Sequence, residues 1–305
     1  RLGLEAHDHD LNPVAVMINK AMIEIPPKFA GQPPVNPEAQ KNKLTEDDWS
    51  GTRGLAEDVR YYGAWMKQKA FERIGHLYPK VKDAEGREHT VIAWLWTRTV
   101  KCPNPACGCE MPLASSFILS KKRNNEIFVE PTAENGKIHY FVRCGKDVVD
   151  GTVARSGGVV SFVIRRGEGK AHRIASQLMA VAAKGDSGRI YISPDEEQIS
   201  AAFIQKPSSY PSGELHGKSR VNVGLYGFNE TSDLFTNRQL VALTTFCDLV
   251  TEVREQIERD VGSVEYAQAV SVYLALSIDK LTNISSAIVS WMNDRSAYAS
   301  LLLIQ

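Results

Sequence analysis

The spacing of apolar positions along the chain predicts helices in some stretches and strands in others. Apolar residues recur every three to four positions from 55 to 66, from 240 to 257 and from 264 to 280, which predicts three amphipathic helices. Thr236 and Gln239 form the sequence pattern of a capping box at the start of the second of these helices. A further helix is predicted near 171–183, and Ser193-Pro194-Asp195-Glu196 predicts the beginning of another.

Short runs rich in β-branched and aromatic residues predict strands between these helices. Turn residues such as Asn135-Gly136 separate several of the runs. The predicted strands are 91–100, 117–119, 127–129, 138–142, 159–164 and 190–192. Strands and helices alternate before and directly after residues 101–166, which contain only strand signals, and the last third of the chain is mostly helical. The pattern therefore predicts an α/β protein with a β-rich insert.

The first residues of the chain predict a strand, a short acidic turn and a helix. Apolar and polar residues alternate until about Asp10, and Asn12-Pro13 then supplies an N-cap and a first-turn proline for a helix to about residue 24. In nucleotide-binding α/β folds, a carboxylate at this position accepts hydrogen bonds from ribose hydroxyls, because the carboxyl end of the strand faces the ligand. Asp10 is therefore a candidate cofactor-binding residue. The alternative is that Asp10 only helps to cap the helix at Asn12.

The stretch that follows this helix is predicted to be a connection without regular structure. Residues 25–48 contain five prolines among many polar residues. Proline removes a backbone donor and interrupts helices, so we expect an extended segment on the surface. This segment is also predicted to be a boundary between two parts of the fold.

Composition limits the class of protein. The chain has 305 residues, 43% of them hydrophobic, which is enough for one large domain or two smaller ones. Its 36 basic residues are balanced by 36 acidic ones, so any contact with nucleic acid depends on local patches. No run approaches the roughly 18 apolar residues of a membrane span, and we expect no membrane partner and a cytoplasmic location. Five cysteines, an odd number, disfavour a disulfide framework.

Several stretches together resemble one known family. They are Gly3-Leu4-Glu5-Ala6, Asp10-Leu11-Asn12-Pro13-Val14-Ala15-Val16, 19–29, 94–108, 176–181, 233–246, Tyr266 and 273–281. These stretches are similar to the zinc-ribbon-containing adenine-specific DNA methylases. The resemblance implies a partial Rossmann-like methyltransferase fold with a β-rich zinc-ribbon-like insert and a helical C-terminal part. The implied regions are 1–100 for cofactor binding, 101–170 for the insert and 171–305 for the part that leads to the catalytic motif.

The resemblance also implies an activity, namely transfer of a methyl group from S-adenosylmethionine to the exocyclic amine of adenine in DNA. It assigns Asp10, Asn12 and Pro13 to cofactor binding. The family's glycine-rich loop would lie before Arg1 and its Asp-Pro-Pro-Tyr motif beyond Gln305, so no residue here is assigned to catalysis. The segment 25–29, Ile-Pro-Pro-Lys-Phe, lacks the Asp or Asn of that motif. We therefore expect an internal fragment that is inactive alone.

A cluster of cysteines is the candidate metal site. Cys102 and Cys107 are separated by a short turn containing proline, which fits one half of a tetrahedral zinc site. The family takes the other half from a second pair of cysteines, but residues 151–162 contain none. Cys109 and Cys144 are the remaining cysteines that would complete a rearranged set. The alternative is a former zinc knuckle that β pairing now holds without metal.

Basic residues in and near the insert are the candidate DNA contacts. Arg and Lys side chains position DNA by contacting its phosphates, and four cations are assigned to this role, Lys121, Lys122, Arg165 and Arg166. The alternative is a solvated loop. Trp94 and Trp96 fall on one side of a predicted strand and are expected to pack in the core, as is Cys247.

Three functions fit these observations. The first is a methylase fragment whose partners are DNA, S-adenosylmethionine and other restriction or defence subunits. The second is a non-catalytic module in which the insert binds DNA or a partner protein. The third is a truncated relic. An effect of Asp10 on cofactor binding separates the first function from the other two.

Overall fold

The computed structural model describes residues 7, 9–41, 49–102, 104, 108–123, 125–145, 167–169, 171, 173–261, 263–292 and 297–299. The chain divides into two compact units. The first unit consists of Arg1–Gly75 and Val241–Thr282, and the second consists of His76–Leu240 and Asn283–Gln305. The predicted boundaries at residues 100 and 170 stay predictions.

Helices dominate the first unit. Its α-helices are α1 (Pro13–Asn19), α2 (Ile25–Lys28), α3 (Pro37–Lys41), α4 (Arg53–Ile74), most of α7 (Asn237–Val261) and α8 (Val264–Thr282). Two short helices, α5 (Glu196–Ser200) and α6 (Gly217–Val223), belong to the second unit. The three long helices predicted from apolar spacing are confirmed as α4, α7 and α8. The capping box is confirmed as well, because the Thr236 and Gln239 side chains each accept a hydrogen bond from the other residue's backbone N–H.

Strands dominate the second unit. They are β1 (Val81–Lys82), β2 (Glu88–His89), β3 (Val91–Lys101), β4 (Glu110–Pro112), β5 (Ile118–Lys122), β6 (Asn125–Glu134), β7 (Lys137–Cys144), β8 (Ala175–Gly185), β9 (Gly188–Ile192), β10 (Ser290–Met292) and β11 (Ala297–Ala299). One sheet has the order β4-β3-β8-β9 and another the order β5-β6-β7. Five predicted strands are confirmed, and the sixth, at 159–164, lies outside the described residues.

The mixed α/β character is confirmed, but the sheets differ from those of a Rossmann-like fold. Every strand pair in the described part of the chain is antiparallel. A Rossmann-like sheet is mostly parallel and has helices on both faces. Antiparallel neighbours need only tight turns, such as the one at Asn135 and Gly136, where both residues have positive φ angles.

The core of the first unit lies between α4, α7 and α8. On α4, the buried residues recur at about every fourth position and include Leu55, Tyr62, Met66 and Ala70. They pack against a buried stripe on α7, Leu249, Val253 and Ile257, and against residues 266–274 of α8. Burying an aliphatic or aromatic side chain contributes roughly 1.5–3 kcal/mol, so this interface is the main source of stability in the unit.

A buried carboxylate holds the start of α3 against α4. Asp58 is completely buried and accepts hydrogen bonds from the backbone N–H of Val35 (2.9 Å) and from the backbone and side-chain N–H groups of Asn36 (3.0 and 2.9 Å). The hydroxyl of Tyr266 donates a fourth bond to it at 2.6 Å. Among the described residues, hydrogen-bond donors rather than a cation therefore surround the Asp58 carboxylate.

The prediction of an extended connection at 25–48 is wrong in two places, whereas residues 29–36 contain neither helix nor strand, as predicted. Residues 25–28 are helical in α2 and residues 37–41 in α3. Pro37 does not prevent this, because it begins α3, where its missing N–H has no intrahelical partner, and Pro26 and Pro27 follow directly after the π-helical turn Lys20–Glu24. Residues 42–48 lie outside the described part of the chain.

A π-helical turn, Lys20–Glu24, connects α1 to α2. Such a turn contains an additional residue relative to an α-helix, and its backbone bonds are correspondingly wider. The hydroxyl of Tyr273 in α8 donates to the carbonyl oxygen of Ala21 at 2.5 Å. The wide turn is thus fixed by a contact from a neighbouring helix.

In the second unit, the two main sheets pack face to face. Ala93 and Leu95 of β3 and Ala180 of β8 contact Phe117 and Val129 of the other sheet. The next residues along the same strands, including Trp94 and Val181, point to the opposite face and pack in a separate cluster. The larger sheet is therefore buried on both sides.

The helix predicted near 171–183 is wrong, because residues 175–185 form β8. This strand lies in the middle of its sheet, between β3 and β9. A central strand that is buried on both faces has a continuous apolar sequence without alternation, and the alanines at 180, 182 and 183 are good helix formers. A register shift near Met179 also interrupts the period of two.

Candidate functional site

The turn before α1 has the local geometry that the sequence predicts. The side chain of Asn12 accepts a hydrogen bond from the N–H of Val14 at 3.0 Å, and Pro13 begins the helix. Asp10 Oδ1 accepts from the N–H of Asn12 at 2.7 Å. Asp10, Asn12 and Pro13 are all exposed.

These contacts use only part of the hydrogen-bond acceptor capacity of the Asp10 carboxylate. One carboxylate oxygen is used within the turn, as the capping alternative requires. An ionised carboxylate has about four acceptor positions, so an exposed Asp10 retains capacity for a further donor such as a ribose hydroxyl. Residues 1–6, which contain most of the predicted strand, lie outside the described residues.

The cysteine cluster lies at the end of a β-hairpin. β3 and β4 pair up to Lys101 and Glu110, and the N–H of Cys102 donates to the carbonyl of Cys109 at 2.9 Å. Cys109 is buried, Cys102 is partly buried and Cys144 is exposed. Cys107 lies outside the described residues, so the assignment of Cys102 and Cys107 to zinc stays a prediction. Within the described residues, no three Cys, His, Asp or Glu side chains form a group that could hold a metal ion.

The predicted DNA contacts are only partly described. Lys121 and Lys122 are exposed at the end of β5, where they lie opposite Glu126 and Asn125 of β6. Consecutive residues of a strand point to opposite faces, so these two cations do not form one patch by themselves. Arg165 and Arg166 lie outside the described residues, and their role stays a prediction.

The structure confirms that the strand tryptophans pack, and it adds a partner that the sequence did not indicate. The indole N–H of Trp94 donates to the completely buried side chain of Gln198 at 2.7 Å. The guanidinium of Arg238 lies 4.1 Å from the centre of the Trp94 ring and 5.1 Å from that of Tyr78. Burial lowers the pKa of Arg238. No local pattern reveals this contact, because about 140 residues separate Arg238 from Trp94.

A second arginine on β3 has a similar environment. The guanidinium of Arg98 lies 4.6 Å from the centre of the Phe228 ring and donates to the hydroxyl of Ser176 at 3.1 Å. Burial lowers the pKa of Arg98 as well. Between these two arginines, Trp96 meets the ring of Phe203 edge to face at 6.4 Å.

A histidine links β2 to β8. The two ring nitrogens of His89 lie 2.8 Å from Asp83 Oδ2 and 3.1 Å from the carbonyl oxygen of Lys184. Both neighbours are acceptors, so only the protonated ring, which has two N–H groups, satisfies both. The hydrogen bond to Asp83 raises the pKa of His89, and the same bond holds the pKa of Asp83 well below its usual range.

Cys247 is exposed, so the prediction that it is a core residue is wrong. It lies on α7 next to Phe246, which packs against the core, and one residue corresponds to a rotation of about 100° around a helix. The buried face of α7 instead contains Leu249, Val253 and Ile257.

No protein-family profile, curated protein or solved structure matches this chain. The described helices include none that is both long enough and apolar enough to cross a membrane.

Proposed function

We propose that this chain is part of an S-adenosylmethionine-dependent, adenine-specific DNA methylase, and that it requires residues outside this sequence for catalysis. The observation that carries the proposal is the exposed turn at Asp10, whose Asn12 cap and Pro13 helix start form as the sequence predicts. The proposal includes a Rossmann-like cofactor region that the segment before α1 would complete. DNA and S-adenosylmethionine are the proposed partners.

In this reaction the exocyclic nitrogen of adenine attacks the methyl carbon, the bond from that carbon to sulfur breaks, and the nitrogen loses a proton. The chain contains no Asp-Pro-Pro-Tyr sequence, so no residue named here is assigned to that step. The role proposed for Asp10 is to accept hydrogen bonds from the ribose hydroxyls of S-adenosylmethionine. This contact fixes the position of the cofactor relative to the base.

The test is methyl transfer and cofactor binding by the protein extended in both directions from its coding sequence. We expect Asp10→Asn to keep the turn, because an amide oxygen still accepts from Asn12, but to weaken S-adenosylmethionine binding about tenfold or more, as loss of a charged hydrogen bond does. Asp186→Asn, at an exposed aspartate in the β8–β9 turn, is the matched control. Equal affinities for all three proteins would contradict the proposal.

A second candidate function is a non-catalytic DNA-binding module. The observation that favours it is that Lys121 and Lys122 are each exposed at a strand end of the insert, one on either face of the strand. Replacing both, together with Arg165 and Arg166, by alanine is expected to weaken DNA binding by the extended protein and to lower its salt dependence. Lys82→Ala and Lys184→Ala, at other exposed lysines of the same unit, serve as controls.

A further inference from the structure

Two cysteines lie directly opposite each other where β3 pairs with β4. The residue pairs that define the register of these two strands are Thr99–Pro112, Val100–Met111 and Lys101–Glu110. The next pair in the same register is Cys102 and Cys109, and the N–H of Cys102 donates to the carbonyl oxygen of Cys109 at 2.9 Å. Directly opposite residues of an antiparallel pair have their side chains on the same face. We call Cys102 and Cys109 the cross-strand cysteine pair.

Side-chain and backbone contacts fix this register. The hydroxyl of Thr99 donates to the carboxylate of Glu110 across the hairpin at 3.0 Å. The N–H of Leu113 donates to the carbonyl oxygen of Arg98 at 2.6 Å. A slip of one residue would break both contacts and turn one cysteine to the other face of the hairpin. The cross-strand cysteine pair is therefore held together by the fold.

The spacing of such a pair suits a disulfide that closes with some strain. Opposite residues joined by a backbone hydrogen bond have Cα atoms about 5.5 Å apart, within the range of about 4.4–6.8 Å for disulfides. Their Cβ atoms lie about 4.5–5.5 Å apart, whereas a relaxed disulfide brings them to about 3.5–4.5 Å. The strands must therefore approach each other slightly. A disulfide strained in this way is readily reduced.

The two thiols differ in their access to solvent. Cys102 is partly buried, whereas Cys109 is only 6% exposed. Thiol–disulfide exchange requires contact between the sulfur atoms, so an oxidant in solution reacts at Cys102 first. Cys109 is placed to react with the sulfur of Cys102 from within the protein.

We propose that Cys102 and Cys109 form a reversible disulfide when the protein meets a small disulfide such as glutathione disulfide. The thiolate of Cys102 attacks one sulfur of this oxidant, the oxidant's S–S bond breaks, and one glutathione leaves as a thiolate. The thiolate of Cys109 then attacks the sulfur of Cys102 and releases the second glutathione. Two protein thiols are thus oxidised to one disulfide, the oxidant is reduced to two thiols, and these thiols take up the two protons.

A single reversible disulfide agrees with the cysteine content of the chain. An odd total of five cysteines prevents complete pairing but permits one pair. Disulfides that form in reducing compartments are mostly transient, as a readily reduced bond would be. Oxidation also withdraws Cys102 from metal binding, because the thiolate is the form that binds zinc. The disulfide does not depend on the proposed methylase function.

The test is a count of reactive thiols by alkylation and mass spectrometry, with a metal chelator present. The protein is the whole chain carrying Cys144→Ser and Cys247→Ser, which remove two exposed cysteines. Excess glutathione disulfide is expected to remove the thiols of Cys102 and Cys109, and reduced glutathione is expected to restore both. Cys107→Ser, added to the same protein, is the matched control and should give the same loss of two thiols.

The order of the two steps is tested by single substitutions in the protein that contains Cys107→Ser. Cys109→Ser is expected to retain one glutathione on Cys102, because no second thiol releases it. Cys102→Ser is expected to gain no glutathione, because Cys109 is buried. Cys109→Ala should behave as Cys109→Ser does, and thermal unfolding of all three variants identifies any that has lost its fold.

Three outcomes would overturn the inference. The first is that both thiols remain reactive in excess glutathione disulfide. The second is that Cys107→Ser abolishes the oxidation, which would assign the disulfide to Cys107. The third is that reduced glutathione leaves the disulfide intact, so that the bond is not reversible. The assay contains neither DNA nor S-adenosylmethionine, and a failure of the methylase proposal is seen separately, in the activity of the extended protein.

Discussion

In the first unit a carboxylate is buried among hydrogen-bond donors, whereas in the second unit a buried arginine and a partly buried one lie against aromatic rings. Asp58 receives four hydrogen bonds, so nearly all of its acceptor capacity is used. Arg98 and Arg238 each make one side-chain hydrogen bond and otherwise contact rings. Directional bonds fix the position of a group, while a ring face tolerates displacement of the cation above it. We therefore expect the two kinds of buried charge to respond differently to substitution.

The largest expected effect is that of Asp58→Ala. This change leaves the donors on Val35, Asn36 and Tyr266 without their acceptor, and each unsatisfied buried donor costs roughly 1–3 kcal/mol. The free energy of unfolding should fall by at least about 3 kcal/mol, measured by urea denaturation. Asp279→Ala, at an exposed position of α8, should change it by less than about 0.5 kcal/mol. A loss below about 1 kcal/mol for Asp58→Ala would remove the contrast between the units.

The next effect concerns Arg238. Arg238→Ala removes a desolvated cation–π contact and the packing of the side-chain stem, and should destabilise the protein by about 2 kcal/mol. Arg238→Met keeps an apolar stem and removes the unpaired charge, so its cost should be clearly smaller. Thermal unfolding followed by tryptophan fluorescence measures both changes, because Arg238 lies on Trp94. Equal losses for the two variants would show that the charge itself stabilises the fold.

A smaller effect is expected for the pH dependence of stability, and it arises in the second unit. The folded-state pKa of His89 is raised by its bond to Asp83, so the stability that it contributes is complete below its unfolded value of about 6.5 and is lost as the pH rises through the folded value. The lowered pKa of Asp83 acts in the opposite direction, so its contribution is complete above its unfolded value of about 3.9 and is lost as the pH falls through the folded value. His89→Gln should abolish the decline in melting temperature on the alkaline side, whereas His216→Gln, at an exposed histidine, should leave the decline in place.

The smallest effect is expected from metal removal. The hairpin that carries the cysteines is closed by backbone pairing between Cys102 and Cys109, and this bond does not require a metal. A chelator should therefore leave the melting temperature unchanged, and elemental analysis should find less than stoichiometric zinc. One zinc per chain, lost together with stability in Cys102→Ser, would instead establish Cys102 as a ligand.

Elements with strong local signals were predictable from the sequence. Apolar periodicity located α4, α7 and α8, and the caps at Asn12 and Thr236 formed as predicted because a cap depends only on residues within one turn. At the candidate site, the same locality explains why the Asn12 cap and the Pro13 helix start beside Asp10 were predictable. Whether Asp10 binds a cofactor is not a local property and stays a prediction.

Features that depend on distant residues were not predictable. β8 was mistaken for a helix because its position in the middle of a sheet, rather than its own sequence, makes it a strand. The contacts of Arg238 with Trp94 and of Trp96 with Phe203 join residues more than 100 positions apart, and a single sequence contains no signal for such pairs. Cys247 was assigned to the core because one helical position decides between the buried and the exposed face.

The π-helical turn at Lys20–Glu24 makes this segment sensitive to the deletion of a single residue. Deleting one residue within the turn would restore ordinary α-helical bonding and rotate everything before it by about 100°, with a shift of about 1.5 Å along the axis. Asp10 and Asn12 would then be presented in a different direction, and the Tyr273 hydroxyl would lose its acceptor on Ala21. Exposed residues such as Met22 and Ile23 can be substituted without rotating the segment that precedes the turn. In this segment, therefore, the direction of Asp10 and Asn12 depends on the number of residues more than on the identity of the exposed side chains.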